Sequence, residues 1–132
     1  MMPTTSAITV TGYSHVAMAV DDLDAALEFY CGTLGFEQLR RPDLGPGAWL
    51  RKGTADVHLG VVDDISLHRG SGHIALHVPA AEFTDAMAEL KARGVTFTSE
   101  PSSRVDFGTT VRAAFITDPA GNGIEFTDVD AG

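Results

Sequence analysis

Two stretches of this chain carry one pattern. Ser14–Val20 reads SHVAMAV and Gly72–Val78 reads GHIALHV. Each sets a histidine at its head, alternates small or polar residues with larger apolar ones, and runs into a segment with helical spacing. Successive side chains of a strand point to opposite faces. His15 therefore lies opposite Val16, Met18 and Val20, and His73 opposite Ile74, Leu76 and Val78. A repeat of this kind predicts a duplicated unit with a polar hollow between its copies.

Read in order, Met1–Ser6 is a loose tail and Thr11–Val20 a strand. Asp21 and Asp22 cap a helix whose apolar stripe is Leu23, Ala26, Leu27 and Tyr30, and Gly32 and Gly35 end it. Strands follow at Phe36–Arg40, Ala48–Arg51 and Ala55–Val62. Arg41–Gly47 is a loop, and Lys52-Gly53 turns the last pair into a hairpin. Asp63–Ser71 is a polar connector. The second half repeats the plan. A strand at Gly72–Val78 precedes a helix over Ala80–Arg93, closed by Gly94. Strands then fall at Val95–Thr98, Thr109–Thr117 and Gly123–Asp128, with a loop at Glu100–Gly108 and a turn at DPAGN (Asp118–Asn122). Each half reads β-α-β-β-β, so the fold class is α+β.

Charge narrows the partners. Eighteen acidic residues stand against nine basic ones, a formal charge of −9. Such a surface repels nucleic-acid phosphate and anionic membranes. It leaves small molecules, cationic ones included, as ligands. Cys31 is the single cysteine, which rules out an intrachain disulfide and fits a reducing, cytoplasmic setting. The opening MMPTTSAITV has neither the basic nor the apolar region of a secretory leader, and no apolar run is long enough to span a bilayer.

Four residues with metal-binding chemistry recur at equivalent places of the two copies: His15 and His73 at the heads of the first strands, His58 and Glu125 in the last. Strand alternation puts each opposite its strand's large apolar residues. If the two units curl into one cup, three imidazoles and one carboxylate converge. That set suits a borderline divalent metal: zinc, iron, nickel, cobalt or manganese. The bland alternatives are hydrogen-bonded or surface histidines, and a Glu125 ion-paired to Arg51 or Arg112. Trp49 and Arg51 share one face. They read either as a stacking wall and an anion contact for substrate, or as a core tryptophan with a rim arginine. His77 shares the face of His73, as a substrate-side acid–base group or a plain hydrogen-bonding histidine. His68 reads as exposed, and Cys31 as passive.

The stretches HVAMAVDDLDAALEFYCGTLGF (His15–Phe36), GHIALHV and DPAGNGIEF (Asp118–Phe126) resemble the vicinal oxygen chelate superfamily, which includes glyoxalase I, bleomycin-resistance proteins, extradiol dioxygenases and fosfomycin-resistance enzymes. The resemblance spans nearly the whole chain. It implies one domain over residues 1–132, built of βαβββ modules at 11–62 and 72–128 that form a cup-shaped mixed sheet, and a homodimer that completes or shields the cup. It also implies metal ligands at His15, His58, His73 and Glu125, with Glu125 as ligand and proton shuttle. Bacterial glyoxalase I carries a glutamate where His58 stands, so this chain departs from that enzyme there. His15, His73 and Glu125 alone are similar to the two-histidine, one-carboxylate set of extradiol dioxygenases and fosfomycin-resistance enzymes, with His58 an added ligand or a supporting group. The expectation is a metal-dependent lyase, isomerase or dioxygenase acting on vicinal oxygens. Its rival is a non-enzymatic, drug-sequestering protein of the bleomycin-resistance type.

Overall fold

A computed structural model describes residues 8–41, 45–70, 72–106 and 109–129. The expected tail at Met1–Ser6, the centre of the Arg41–Gly47 loop and the end of the Glu100–Gly108 loop lie outside that set. The architecture is α+β, with eight strands in two four-stranded mixed sheets. β1 (Val16–Val20), α1 (Leu23–Leu27), β2 (Glu37–Leu39), β3 (Gly47–Lys52) and β4 (Ala55–Val61) make the first half. β5 (His73–His77), α2 (Phe83–Ala92), β6 (Ser99–Asp106), β7 (Thr109–Thr117) and β8 (Gly123–Thr127) make the second. The sheet orders are β1-β4-β3-β2 and β5-β8-β7-β6, so the repeat in the sequence is a repeat in topology.

The helices form where the caps and apolar stripes place them. Asp22 caps α1, its carboxylate accepting from Ala25 N–H at 3.0 Å. α1 then widens into a π-helical turn over Glu28–Thr33, marked by Leu34 N–H donating to Phe29 O across five residues. This carries the helix past Gly32, where the sequence suggests a stop. On α2, Phe83 and Met87 are buried, and Gly94 takes the positive φ of a helix-ending glycine.

Two segments differ from expectation. β1 begins at Val16, because its parallel ladder with β4 starts at the Val16–Val57 pair; residues 11–15 precede it and are exposed. β6 runs through Ser99–Asp106, where a loop is expected, and Val95–Thr98 is not a strand. Val95 N–H closes the end of α2 on Leu90 O, and Phe97 is buried. The polar SEPSSR sequence hides β6 because it is an edge strand, where a polar face and a proline are tolerated. Pro101 sits within a register shift between Ser99 and Ser102.

The halves share one hydrophobic core and are joined by a buried polar latch. Tyr30, fully buried after α1, donates to Asp118 Oδ2 at 2.9 Å. Asp118 also accepts from Ala120 N–H, Asn122 N–H and Asn122 Nδ2. Asn122 Nδ2 donates in turn to Ala19 O of β1 at 2.9 Å. This ties the turn that launches β8 to the strand behind His15. Burial, then the neighbouring Asp118 carboxylate, pushes the Tyr30 phenol far above its usual range, so it stays a donor. Asp118→Ala leaves Tyr30 and two backbone N–H groups without their acceptor, with an expected cost of about 3 kcal/mol. Tyr30→Phe removes one charged hydrogen bond, for about 1.5 kcal/mol. Urea denaturation measures both; near-zero losses would mean that the latch does not hold the halves together.

Candidate functional site

Register explains why the four residues from the repeat stand where they do. In the first sheet, His58 of β4 pairs with Ala17 of β1 on one side and with Trp49 of β3 on the other. In the second sheet, Glu125 of β8 pairs with Ala75 of β5 and with Phe115 of β7. His15 and His73 lie two residues before those alanines, on the same faces. The two faces are thus copies: histidine, alanine, an aromatic ring, and a central residue that is His58 in one and Glu125 in the other.

On the second face, Glu125 is buried and His73 half-exposed. His73 Nε2 donates to Glu125 Oε1 at 2.8 Å. Gly123 makes room for that contact. It pairs with His73, and a Cβ at position 123 would stand 3.0 Å from the His73 Cβ. The Phe115 ring meets His73 edge-on at 5.3 Å. The sequence leaves a Glu125 ion pair with Arg51 or Arg112 open; here Arg51 pairs with Asp56, Arg112 with Asp128, and His73 donates to Glu125.

On the first face, the His15 and His58 rings are 6.3 Å apart, with Trp49 beside both, 4.5 Å from His15 and 5.8 Å from His58. Ser14 Oγ lies 3.0 Å from His15 Nδ1 and orients that ring. Trp49 is half-buried and held at its edge. Its indole N–H donates to Asp56 Oδ2 at 3.0 Å, and the Arg41 guanidinium covers the ring at 4.7 Å. Asp56 is itself held by both nitrogens of a bidentate Arg51 fork, at 2.7 and 2.9 Å. Arg51 is therefore spent on Asp56. Asp56, Arg41 and Phe115 are the residues that sequence reasoning passed over. Asp56 shares strand parity with His58, and Phe115 stands to Glu125 as Trp49 does to His58, so both were readable from the repeat.

His77 sits on the face of His73 but at the far end of β5, where it lines another cleft of about 790 Å³ with Leu76, Val78, Lys52 and Arg93. His68 is exposed. Cys31 is half-buried and its thiol is raised by that burial, which fits a passive side chain.

The residues present fit a metal in chemistry, since imidazoles and a carboxylate are donors for a borderline divalent ion. The 2.8 Å between His73 Nε2 and Glu125 Oε1 is a hydrogen bond. The four donors do not converge within the chain. Among the described residues, no three of His, Cys, Asp and Glu gather closely enough to hold an ion. The structure brings His73 to Glu125 and His15 to His58, as two half-sites on two sheets.

A family profile described as the Glyoxalase/Bleomycin resistance protein/Dioxygenase superfamily matches residues 12–126. A Synechocystis sp. protein named "Probable lactoylglutathione lyase" is 34% identical over 122 residues, covering 84% of this chain and 90% of the relative. A lactoylglutathione lyase of Neisseria meningitidis serogroup A is 31% identical over 129 residues, covering 89% and 91%. Among solved structures, a glyoxalase family protein from Enterococcus faecalis superposes with a TM-score of 0.67 at 28% identity, covering 88% of this chain and 96% of that one.

The Asp56 clamp has a pH signature. Hydrogen bonds from Arg51 and then Trp49 lower its carboxyl from 3.8 to about 2. A depressed carboxylate contributes its stability above the ordinary carboxylate range and loses it as pH falls toward the folded value. Emission from Trp49, the single tryptophan, should hold steady down to pH ~4 and change only toward pH ~2. In Arg51→Ala the midpoint should rise toward the ordinary carboxylate value. A wild-type midpoint near that ordinary value would refute the clamp.

Proposed function

The chain belongs to the Glyoxalase/Bleomycin resistance protein/Dioxygenase superfamily, and from that premise we propose that it is a glyoxalase-like, divalent-metal-dependent lyase or isomerase, cytoplasmic and homodimeric, acting on a small substrate through two adjacent oxygens. The observation that carries the reading is the recurrence of two donor pairs at equivalent places of the two sheets, His73 hydrogen-bonded to Glu125 on one and His15 beside His58 on the other. The names of the relatives, lactoylglutathione lyases, support the reaction class.

Each half-site offers two donors, and a borderline ion takes three or four protein ligands. A two-fold dimer supplies the rest if the first sheet of one protomer faces the second sheet of its partner. His15 and His58 would then meet the partner's His73 and the partner's Glu125, twice per dimer. An ion held there would polarise the two substrate oxygens and make the adjoining C–H more acidic. Glu125 is the general base of this scheme. Its carboxylate is buried, at the position that matches His58 in the other sheet, and lies 2.8 Å from His73 Nε2. It takes the proton from one oxygenated carbon and returns it to the neighbouring one. Trp49 and Phe115 flank the two half-sites and exclude water from the transfer.

Metal content tests the reading. Protein purified without added metal should carry about one ion per protomer, and His73→Ala and Glu125→Gln should retain less than about a tenth of it. Equal content in all three would contradict the proposal. A sequestering protein of the bleomycin-resistance type would instead be stabilised by ligand with no metal uptake. The shared site has its own test. Chains carrying His15→Ala with His58→Ala, and chains carrying His73→Ala with Glu125→Gln, should each lose the ion, while a purified heterodimer of the two regains about one ion per dimer. A metal-free heterodimer would place all four donors within one chain.

A further inference from the structure

The cleft of about 790 Å³ that His77 lines takes no part in the chemistry above. It lies between the two halves, behind the faces that carry the histidines. Leu76 and Phe126 are register partners in β5 and β8, and strand alternation turns them away from the face of Ala75 and Glu125. They line the cleft with Met87 and Leu90 of α2, and Leu34 and Phe36 close it from the first half. Its size is that of a small-molecule site. Water inside it touches mostly aliphatic walls, so an apolar group that enters is favoured.

Two cations stand on its lining, one from each half. Lys52 ends β3, and its ammonium lies against Gly35, where an added Cβ would stand 3.1 Å from Nζ. Among the described residues no carboxylate pairs with Lys52. Arg93, just past α2, is anchored across the halves by Nη1, which donates to Thr33 O at 2.9 Å. Its Nη2 is 3.6 Å from Glu89 Oε1, beyond hydrogen-bond length. Glu89 is the carboxylate on this lining, so two cations stand against one anion. The cleft keeps a net positive charge in a chain at a formal −9.

We propose that this cleft binds an amphipathic monocarboxylate, an unbranched aliphatic chain ending in a carboxylate. The chain lies on Leu76, Leu90 and Phe126, and the carboxylate is held by Lys52 and Arg93. The guanidinium fork matches a carboxylate, and the lysine ammonium adds a mobile point charge. Met87 adapts the wall to the chain, because a thioether side chain fills irregular gaps. A small anion without a chain would meet two exposed cations alone and bind weakly, since exposed ion pairs are worth little. A neutral apolar molecule would cover the walls and leave Lys52 without a counter-ion. One net positive charge beside an aliphatic hollow favours the molecule that has both parts. The site is separate from the two half-sites and needs no metal.

Octanoate and octanamide test this directly, since they share a chain and a head shape and differ in charge. Calorimetry is run with EDTA present, so that no metal ion can capture the carboxylate. Wild type should bind one octanoate per protomer, at least about threefold more tightly than octanamide. Decanoate should bind about tenfold more tightly than octanoate, from two further buried methylenes. Backbone amide shifts in NMR spectra should gather at Thr33–Phe36, Lys52–Ala55 and Leu76–Val78, with Trp49 emission unchanged. Lys52→Gln should weaken octanoate about threefold and leave octanamide unchanged. Ala86→Phe, which fills the cleft from α2, should weaken both more than about tenfold. No saturable binding, or equal affinity for octanoate and octanamide, would overturn the proposal. So would shifts centred on Trp49 or Glu125, or octanoate binding that neither variant changes.

Discussion

Strand register is the constraint on which this molecule depends. A side chain in a sheet has two choices of face, and a slip of one residue reverses every choice along the strand. In both halves the first strand lies parallel to the last, and the third antiparallel to it, with large apolar residues turned inward. The small and polar residues are left on the open face. Once Val57 and Leu59 are buried under the first half, His58 has to point out between Ala17 and Trp49. Once Ile124 is buried in the second, Glu125 stands between Ala75 and Phe115. Glu125 and His58 are thus placed by the burial of their neighbours.

Burial then makes Glu125 a chemical element of the site rather than a surface charge. A carboxylate removed from water needs hydrogen-bond donors, and His73 is aimed at it because Gly123 leaves the imidazole room to lie against β8. The latch of Tyr30, Asp118 and Asn122 acts one step further back. It fastens the turn before β8 to β1, and so fixes the angle at which one chain presents its two half-sites. In the proposed dimer that angle decides whether two sites close together.

Much of this was legible in the repeat itself. Alternation in SHVAMAV and GHIALHV gives the faces of β1 and β5, Asp22 gives the first helix, and DPAGN gives the last turn. What stayed hidden was hidden for physical reasons. β6 is an edge strand, and edge strands need no apolar face, so its serines and Pro101 read as loop. His15 lies outside β1 because its ladder partner strand sets the start. The role of Asp56 depends on Arg51 and Trp49 across a hairpin, a contact that single-strand periodicity does not report. Convergence of the four donors was expected from their symmetry, but symmetry within a chain does not say whether the copies meet each other or meet those of a second chain.

The central claim is that the two unlike half-sites share one ion. X-ray diffraction from crystals grown with cobalt, with data collected at the cobalt absorption edge, tests it most directly. The account predicts one anomalous peak per protomer, within coordination distance of His15 and His58 of one chain and of the partner's His73 and the partner's Glu125. A peak held by only one of the two pairs, or cobalt bound elsewhere with both pairs bare, would contradict it.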